Sequence, residues 1–209
     1  DMDMSKNKKD KSLTLLQKFF KRFFDITFAV ISLLILSPFI VIVWIITSIS
    51  LNENGFFFQS RVGRDGKLFS VVKIKTMNYS SKNKSSITAH NDSRITKLGG
   101  FLRKTKIDEL PQLWNVLVGQ MSIVGPRPDV PNYADNLQGK DRLILSVKPG
   151  ITGPAQIYYK NESLILSRQN NLKEFNDNVI WPKKVQINIH YVENYSFYKD
   201  LYYIWKTFI

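Results

Sequence analysis

Residues 26–49 read ITFAVISLLILSPFIVIVWIITSI, 24 positions without a charge. A straight helix of that length rises about 36 Å, enough to cross a hydrocarbon layer of about 30 Å. The run is longer than a signal-peptide core, and no small-x-small cleavage pattern follows it. Ser37-Pro38 stands near its centre. Pro38 has no N–H for the Leu34 carbonyl and its ring crowds the preceding turn, which opens a helix there. The Ser37 hydroxyl can bond back to the Leu33 carbonyl and sharpen the bend. The halves on either side are each about 18 Å long, too short to cross alone. Lys21 and Arg22 on one flank and Arg61 and Arg64 on the other are all basic, so charge sets no orientation. A kinked spanning helix and a re-entrant hairpin with both ends on one face both follow.

Upstream, Leu13, Leu16, Phe19, Phe20 and Phe23 recur at helical spacing with Lys18, Lys21 and Arg22 between them. This reads as a basic amphipathic helix on an anionic membrane surface, or as an ordinary core-facing helix. Asp1–Met4 reads as an expression remnant. Three units are expected: a basic segment 1–22, a membrane helix 23–51 and a globular domain 52–209.

The 209 residues carry a formal net charge of +13, so an anionic partner is implied: nucleic acid, a membrane surface or phosphorylated metabolites. There is no cysteine, which excludes disulfides and thiolate metal sites. His90 and His190 are the only imidazoles, so zinc sites and histidine-based triads are disfavoured. In the globular part, Phe56–Phe58 with Val62, a Gly63–Gly66 turn, then Phe69, Val71, Val72 and Ile74 predict a β-hairpin. Residues 78–93 read as an Asn/Ser/Lys-rich loop, and Gly99-Gly100 as an interruption. Residues 125–131 are too proline-rich for a helix or central strand, and 149–154 read as a rigid turn. A polar helix over 160–178 and one long aromatic helix over 183–207 complete the reading. The fold class is α+β, mainly α.

The chemistry concentrates at Asp108-Glu109. Between Arg61 and Lys106 stand twelve Lys or Arg against two acids. Two carboxylates at the edge of that cationic field suit an anionic substrate and a divalent metal. Asp108 reads as the N-cap of a helix carrying Leu110, Leu113, Trp114, Leu117 and Val118, with Pro111 in its first turn and Gly119 as its stop. A capping carboxylate at the positive end of a helix dipole is expected to have a lowered pKa and to favour phosphate nearby. It can attack phosphorus to give an acyl phosphate, or hold Mg²⁺, and Glu109 can act as base or second ligand. The plain alternative is a cap and a first-turn dipole partner. Arg103 and Arg127 present forks suited to phosphate, and Pro126 and Pro128 limit the backbone around Arg127. Lys73 and Lys75 share one strand face, aimed at the site or at solvent.

From Lys21 to Thr207 the chain resembles the bacterial sugar transferases, the monotopic phosphoglycosyl transferases that initiate lipid-linked glycans. The resemblance rests on Lys21–Asp25, Ser37-Pro38, Gln59–Gly63, Lys73–Met77, Arg94–Gly99, Arg103–Gln112, Met121–Pro128, Lys148–Gly153 and Tyr191–Ser196. It implies a re-entrant helix bent at Ser37-Pro38, a small domain on the cytoplasmic face of the bacterial inner membrane, and contact with inner-membrane phospholipid. It implies a two-step reaction as well. Asp108 would attack the sugar-linked phosphate of a UDP-sugar, releasing UMP, and a polyprenyl phosphate such as undecaprenyl phosphate would then take the sugar phosphate. Asp108 and Glu109 would be the catalytic pair and the Mg²⁺ ligands, with Glu109 assisting deprotonation of the lipid phosphate. Lys73, Lys75, Arg103, Pro126, Arg127 and Pro128 would line the phosphates and nucleotide. The chain departs from the family pattern at Ile74, Lys75, Pro154 and Asn188, and is expected to be a member without the extra N-terminal spanning helices of larger ones. The alternative to catalysis is a membrane-anchored basic module, a scaffold or a nucleic-acid binder. No zinc finger, RNP or helix-turn-helix signature supports nucleic acid as a partner. The aromatic C-terminal helix reads as core, membrane surface or homodimer contact.

Overall fold

A computed structural model describes residues 12–78 and 92–209. The suggested remnant at 1–4, most of the polar loop, and with it Lys82, Lys84 and His90, lie outside the described residues.

Helix α1 runs Leu15–Leu51 without a break, opened by a capping box in which Thr14 and Gln17 exchange side-chain and backbone bonds. The boundary expected near residue 22 therefore falls inside one 37-residue helix, which carries Pro38 within it. Lys21, Asp25, Ala29, Ile40, Val43 and Thr47 are its buried positions. They recur at roughly one helical turn, so one stripe lies along the rest of the protein. Both ends of that stripe meet the same globular body. The opposite side is bare: Leu34 is 74% and Ile35 70% exposed.

Of the cations near the start of α1, Lys18 is exposed, but Lys21 and Arg22 do not serve as surface charges. Lys21 is buried; its Nζ donates to Asp200 and to the Tyr191 hydroxyl (3.3 Å), and Tyr191 donates to Asp200 Oδ1 (2.7 Å). Arg22 donates to the Val116 and Leu117 carbonyls (2.7 and 2.8 Å), the last carbonyls of helix α3 (Gln112–Leu117). A cation on free C-terminal carbonyls satisfies orphan acceptors and opposes the dipole. Asp25 accepts from the Ser122 hydroxyl (3.0 Å) and the Ile123 N–H (2.9 Å). The surface-charge reading of Lys21 and Arg22 is thus corrected: both are internal struts.

Strands β1 (Phe56–Val62) and β2 (Leu68–Ile74) form the expected antiparallel hairpin, in register from Phe56↔Ile74 to Val62↔Leu68. Helix α2 (Lys97–Thr105) contains Gly99 and Gly100. Those glycines do not interrupt it. A Cβ on Gly99 would come within 2.0 Å of the Thr76 carbonyl, so the glycine lets α2 press against the exit of β2. A two-stranded parallel pair, β3 (Ser122–Val124) with β4 (Gly150–Thr152), was not foreseen. Each has three residues, too few for an alternating pattern, and a Cβ on Gly150 would meet the Gly125 N at 2.1 Å. Close backbone approach, rather than side-chain pattern, makes that pair.

The polar stretch after β4 is broken into α4 (Pro154–Tyr158), α5 (Glu162–Ser167) and α6 (Leu172–Phe175). The single C-terminal helix expected over 183–207 is two: α7 (Trp181–Glu193) and α8 (Phe197–Phe208). The break at Asn194–Ser196 returns Asp200 to Tyr191 and Lys21. The main core joins Ala29, Val71, Val116, Met121, Ile144, Val185 and Val192, and a smaller cluster joins Val43, Ile74 and Leu102 under Trp44 and Phe56.

Removing one partner of a buried pair strands the other charge, at about 3–5 kcal/mol. Asp200→Ala is therefore expected to lower the melting temperature of the detergent-purified protein sharply. Lys21→Met with Asp200→Leu is expected to recover most of the loss, which a double-mutant cycle of melts would check.

Candidate active site

Three elements converge on the acid pair. Helix α2 ends at Lys106, which adopts a left-handed conformation (φ 60°, ψ 14°). For a side chain with a Cβ that costs about 1–2 kcal/mol, and it turns the chain sharply into the single 3₁₀ turn Ile107–Glu109. Asp108 and Glu109 are each only 8% exposed. From the opposite side, Asn115 on α3 ties down the hairpin. Its Oδ1 accepts from the Val72 N–H (3.0 Å) and its Nδ2 donates to the Ser70 carbonyl (2.8 Å). This fixes the strand position from which Lys73 reaches across.

Lys73 Nζ donates to Glu109 Oε1 at 2.7 Å, and Arg127 Nη2 donates to the same oxygen at 2.9 Å. Two cations from two other elements share one buried carboxylate oxygen. Burial pushes the Glu109 carboxyl upward, but Lys73, Arg127 and Lys106 outweigh it and hold it well below the ordinary range. Burial lowers the Lys73 ammonium against the pull of Glu109, whereas the Glu109 charge raises Arg127. The Arg127 side chain is 38% exposed, against 11% for Glu109.

Asp108 behaves in the opposite way. Its Oδ1 is buried and has no hydrogen-bond partner. Burial, and then the neighbouring Glu109 charge, raise its carboxyl to about 6. The expected N-cap role is corrected: α3 starts at Gln112 with Pro111 before it and no side-chain cap, so Asp108 lies in the 3₁₀ turn that precedes the helix and caps nothing. At six residues α3 is also short. Desolvation wins, and the pKa rises instead of falling. The result is a pair of adjacent carboxylates with separated roles, one neutralised by cations and one left bare.

Arg103 Nε donates to Thr76 Oγ1 at 2.8 Å, and its charge acts on Asp108. Lys75 does not accompany Lys73; its Nζ pairs with Glu53 (3.0 Å) just beyond α1, and its N–H donates to the Gly55 carbonyl (2.7 Å). Strand β2 has ended by residue 75, so the shared face does not carry it to the acids. Pro126 and Pro128 brace the Arg127 loop through their carbonyls, which accept from the Gly150 N–H (2.8 Å) and Arg61 Nη1 (3.1 Å). Sequence reasoning passed over Gln112, buried with an unpaired Nε2, and Asp129, whose carboxyl burial raises to about 6 beside Lys184, Arg61 and Arg127. No local pattern flags either; only the folded environment does.

As for a metal, no cluster of three His, Asp or Glu side chains occurs among the described residues. Mg²⁺ needs only one or two carboxylates when substrate phosphates and water complete its shell. The unpartnered Asp108 Oδ1 fits one such ligand. Glu109 fits less well, because Lys73 and Arg127 already occupy its Oε1.

Residues 16–209 match the family described as bacterial sugar transferase. The chain belongs to that family. It is 37% identical over 181 residues to the uncharacterized sugar transferase EpsL of Bacillus subtilis, covering 87% of this chain and 81% of the relative. It is 36% identical over 206 residues to the UDP-glucose:undecaprenyl-phosphate glucose-1-phosphate transferase of Klebsiella pneumoniae, covering 95% of this chain and 41% of that longer protein. The exopolysaccharide production protein ExoY of Sinorhizobium fredii is 32% identical over 203 residues, covering 90% and 83%.

An aspartate whose carboxyl sits near 6 when folded and at 3.8 otherwise binds more protons folded than unfolded between those values. Its penalty is absent about one pH unit below the unfolded value, grows as pH rises and is complete about one unit above the folded value. Asp108→Asn is thus expected to match the parent's stability at about pH 3 and exceed it by about 1–3 kcal/mol at about pH 8. Denaturant titrations at the two pH values would check this.

Proposed function

We propose that this protein transfers a sugar 1-phosphate from a UDP-sugar to a polyprenyl phosphate such as undecaprenyl phosphate, through a phosphosugar covalently held on Asp108. The observation that carries this reading is the asymmetry of the acid pair: Glu109 clamped by Lys73 and Arg127, Asp108 buried and bare. A carboxylate near pKa 6 is mostly ionised at neutral pH and has no hydrogen bond to surrender before it attacks. Relatives named for UDP-glucose:undecaprenyl-phosphate and undecaprenyl-phosphate galactose phosphotransfer support the donor and acceptor classes.

In the first half-reaction an Asp108 carboxylate oxygen bonds to the sugar-bearing phosphorus. The bond from that phosphorus to the oxygen bridging to the uridine phosphate breaks, and UMP departs with the electron pair. In the second, an oxygen of the polyprenyl phosphate attacks the same phosphorus and frees Asp108. Lys73, Arg127 and Arg103 supply charge to the phosphates. Glu109, strongly ionised, fits the role of aligning the two cations better than that of a proton acceptor. Mg²⁺, when bound, would add positive charge at the diphosphate, with Asp108 as its protein ligand.

Two features support a monotopic arrangement; the inner (cytoplasmic) membrane and its cytoplasmic face follow from the proposed UDP-sugar donor. The apolar side of α1 is bare, and so are Tyr198, Tyr202, Trp205 and Phe208 on α8. In addition, Lys21–Asp25 and Val43–Thr47 both rest on one globular body, whereas a straight crossing would part them by a bilayer. That favours a re-entrant path at Ser37-Pro38 and contact with phospholipid. Ser12→Cys and Glu53→Cys are each expected to label from the same side of sealed vesicles; labelling from opposite sides would exclude that path.

A two-step reaction has a signature that needs no lipid acceptor. Wild-type protein with UDP-sugar and labelled UMP is expected to exchange label into the UDP-sugar, and Asp108→Asn to lose exchange by several orders of magnitude. Lipid product formed without any exchange would contradict the covalent route.

A further inference from the structure

From Ile107 to Leu117 the chain follows a nearly continuous right-handed path. The 3₁₀ turn Ile107–Glu109 leads through Leu110 (φ −56°, ψ −37°) and Pro111 (φ −61°, ψ −16°) into α3. The N–H groups of Glu109, Leu110, Leu113 and Trp114 bond to the carbonyl three residues back, so the winding is close to three residues per turn. Asp108 and Gln112 stand on consecutive turns of it. Gln112 is 3% exposed, and its Nε2 is buried with no hydrogen-bond partner, like the Oδ1 of Asp108. One orphan acceptor and one orphan donor therefore occur on consecutive turns of one short stretch, and they do not bond each other. A buried polar atom left unpaired costs about 1–3 kcal/mol, and native structures leave few of them. Such a cost is offset where a bound group completes both atoms at once.

We propose that Gln112 is a catalytic residue whose Nε2–H donates to a non-bridging oxygen of the phosphoryl group attacked by Asp108. The proposal rests on the reaction described above. As the Asp108 oxygen bonds to phosphorus and the UMP oxygen leaves, the negative charge on the non-bridging oxygens is held by this donor. No proton leaves the amide, and the same contact serves when the polyprenyl phosphate displaces Asp108. The residue type matters. A lysine or arginine four residues from Asp108 would pair with the carboxylate and blunt it as a nucleophile, whereas a neutral amide donates without competing for it. A preorganised donor in a water-poor site acts on the transition state more than on the bound substrate.

The test uses the full chain in detergent or nanodiscs. Gln112→Met keeps the length and removes the donor. It is expected to slow single-turnover UMP release by about 10²- to 10³-fold, with little change in KM for the UDP-sugar. Its melting temperature should equal or exceed the parent's, because the unpaired donor is gone, and its rate should keep a pH profile rising through about 6. Gln112→Glu, nearly isosteric, is expected to lose at least as much, since its carboxylate repels phosphate. Wild-type turnover in either variant overturns the proposal. So does a Met variant whose melting temperature falls in step with its activity, which is the mark of a structural glutamine. Label exchange by the wild-type protein, run alongside, separates the two readings. If it is absent, the underlying reaction fails and this role falls with it; if it is present and unchanged in Gln112→Met, only the role of Gln112 fails.

Discussion

One shared oxygen organises this site. Glu109 Oε1 accepts from Lys73 and Arg127 together, so strand β2, the turn after α2 and the loop after β3 meet at one point. Two cations on one buried carboxylate carry a surplus positive charge, which suits a diphosphate. The same arrangement spends the local cations on Glu109 and leaves Asp108 facing low dielectric without a partner. The elevated carboxyl of Asp108 and the depressed one of Glu109 are therefore two sides of a single constraint. Pairs of acids whose surroundings push their pKa values apart are how a fold assigns different tasks to chemically similar groups.

The long apolar helix supports that point from behind. Arg22 closes the carbonyl end of α3, Asp25 holds β3, and Lys21 reaches Asp200 on α8. Through α3, Asn115 passes the restraint to β2 and so to Lys73. The long apolar helix and the candidate site are thus one mechanical unit.

Much of this was legible in the sequence, and the boundary has physical causes. The β1–β2 hairpin followed from alternation and a glycine turn, and the long helix from an unbroken apolar run. Asp108, Glu109, Lys73 and Arg127, quoted for their chemistry, are brought together by the fold. What could not be read depended on long-range partners. Lys21 and Arg22 look like membrane cations until Asp200 and the end of α3 come to meet them. Lys75 looks equivalent to Lys73 until β2 stops at Ile74 and Glu53 takes its charge. Asp108 has an N-cap's sequence context, yet α3 begins four residues later and desolvation, a tertiary property, reverses the sign of its shift. The β3–β4 pair depends on backbone contact at glycines, which leaves no side-chain pattern.

Carrying an unpaired acid in the interior opposes stability, and such an arrangement fits a group kept for chemistry more than for folding. The most direct measurement is the mass of the protein after exposure to a UDP-sugar alone, quenched in acid and digested. The expected result is one sugar-phosphate increment on the peptide containing residue 108, absent from Asp108→Asn. An unmodified protein that still delivers sugar phosphate to the lipid, or an increment on a different residue, would contradict Asp108 as the group that carries the sugar.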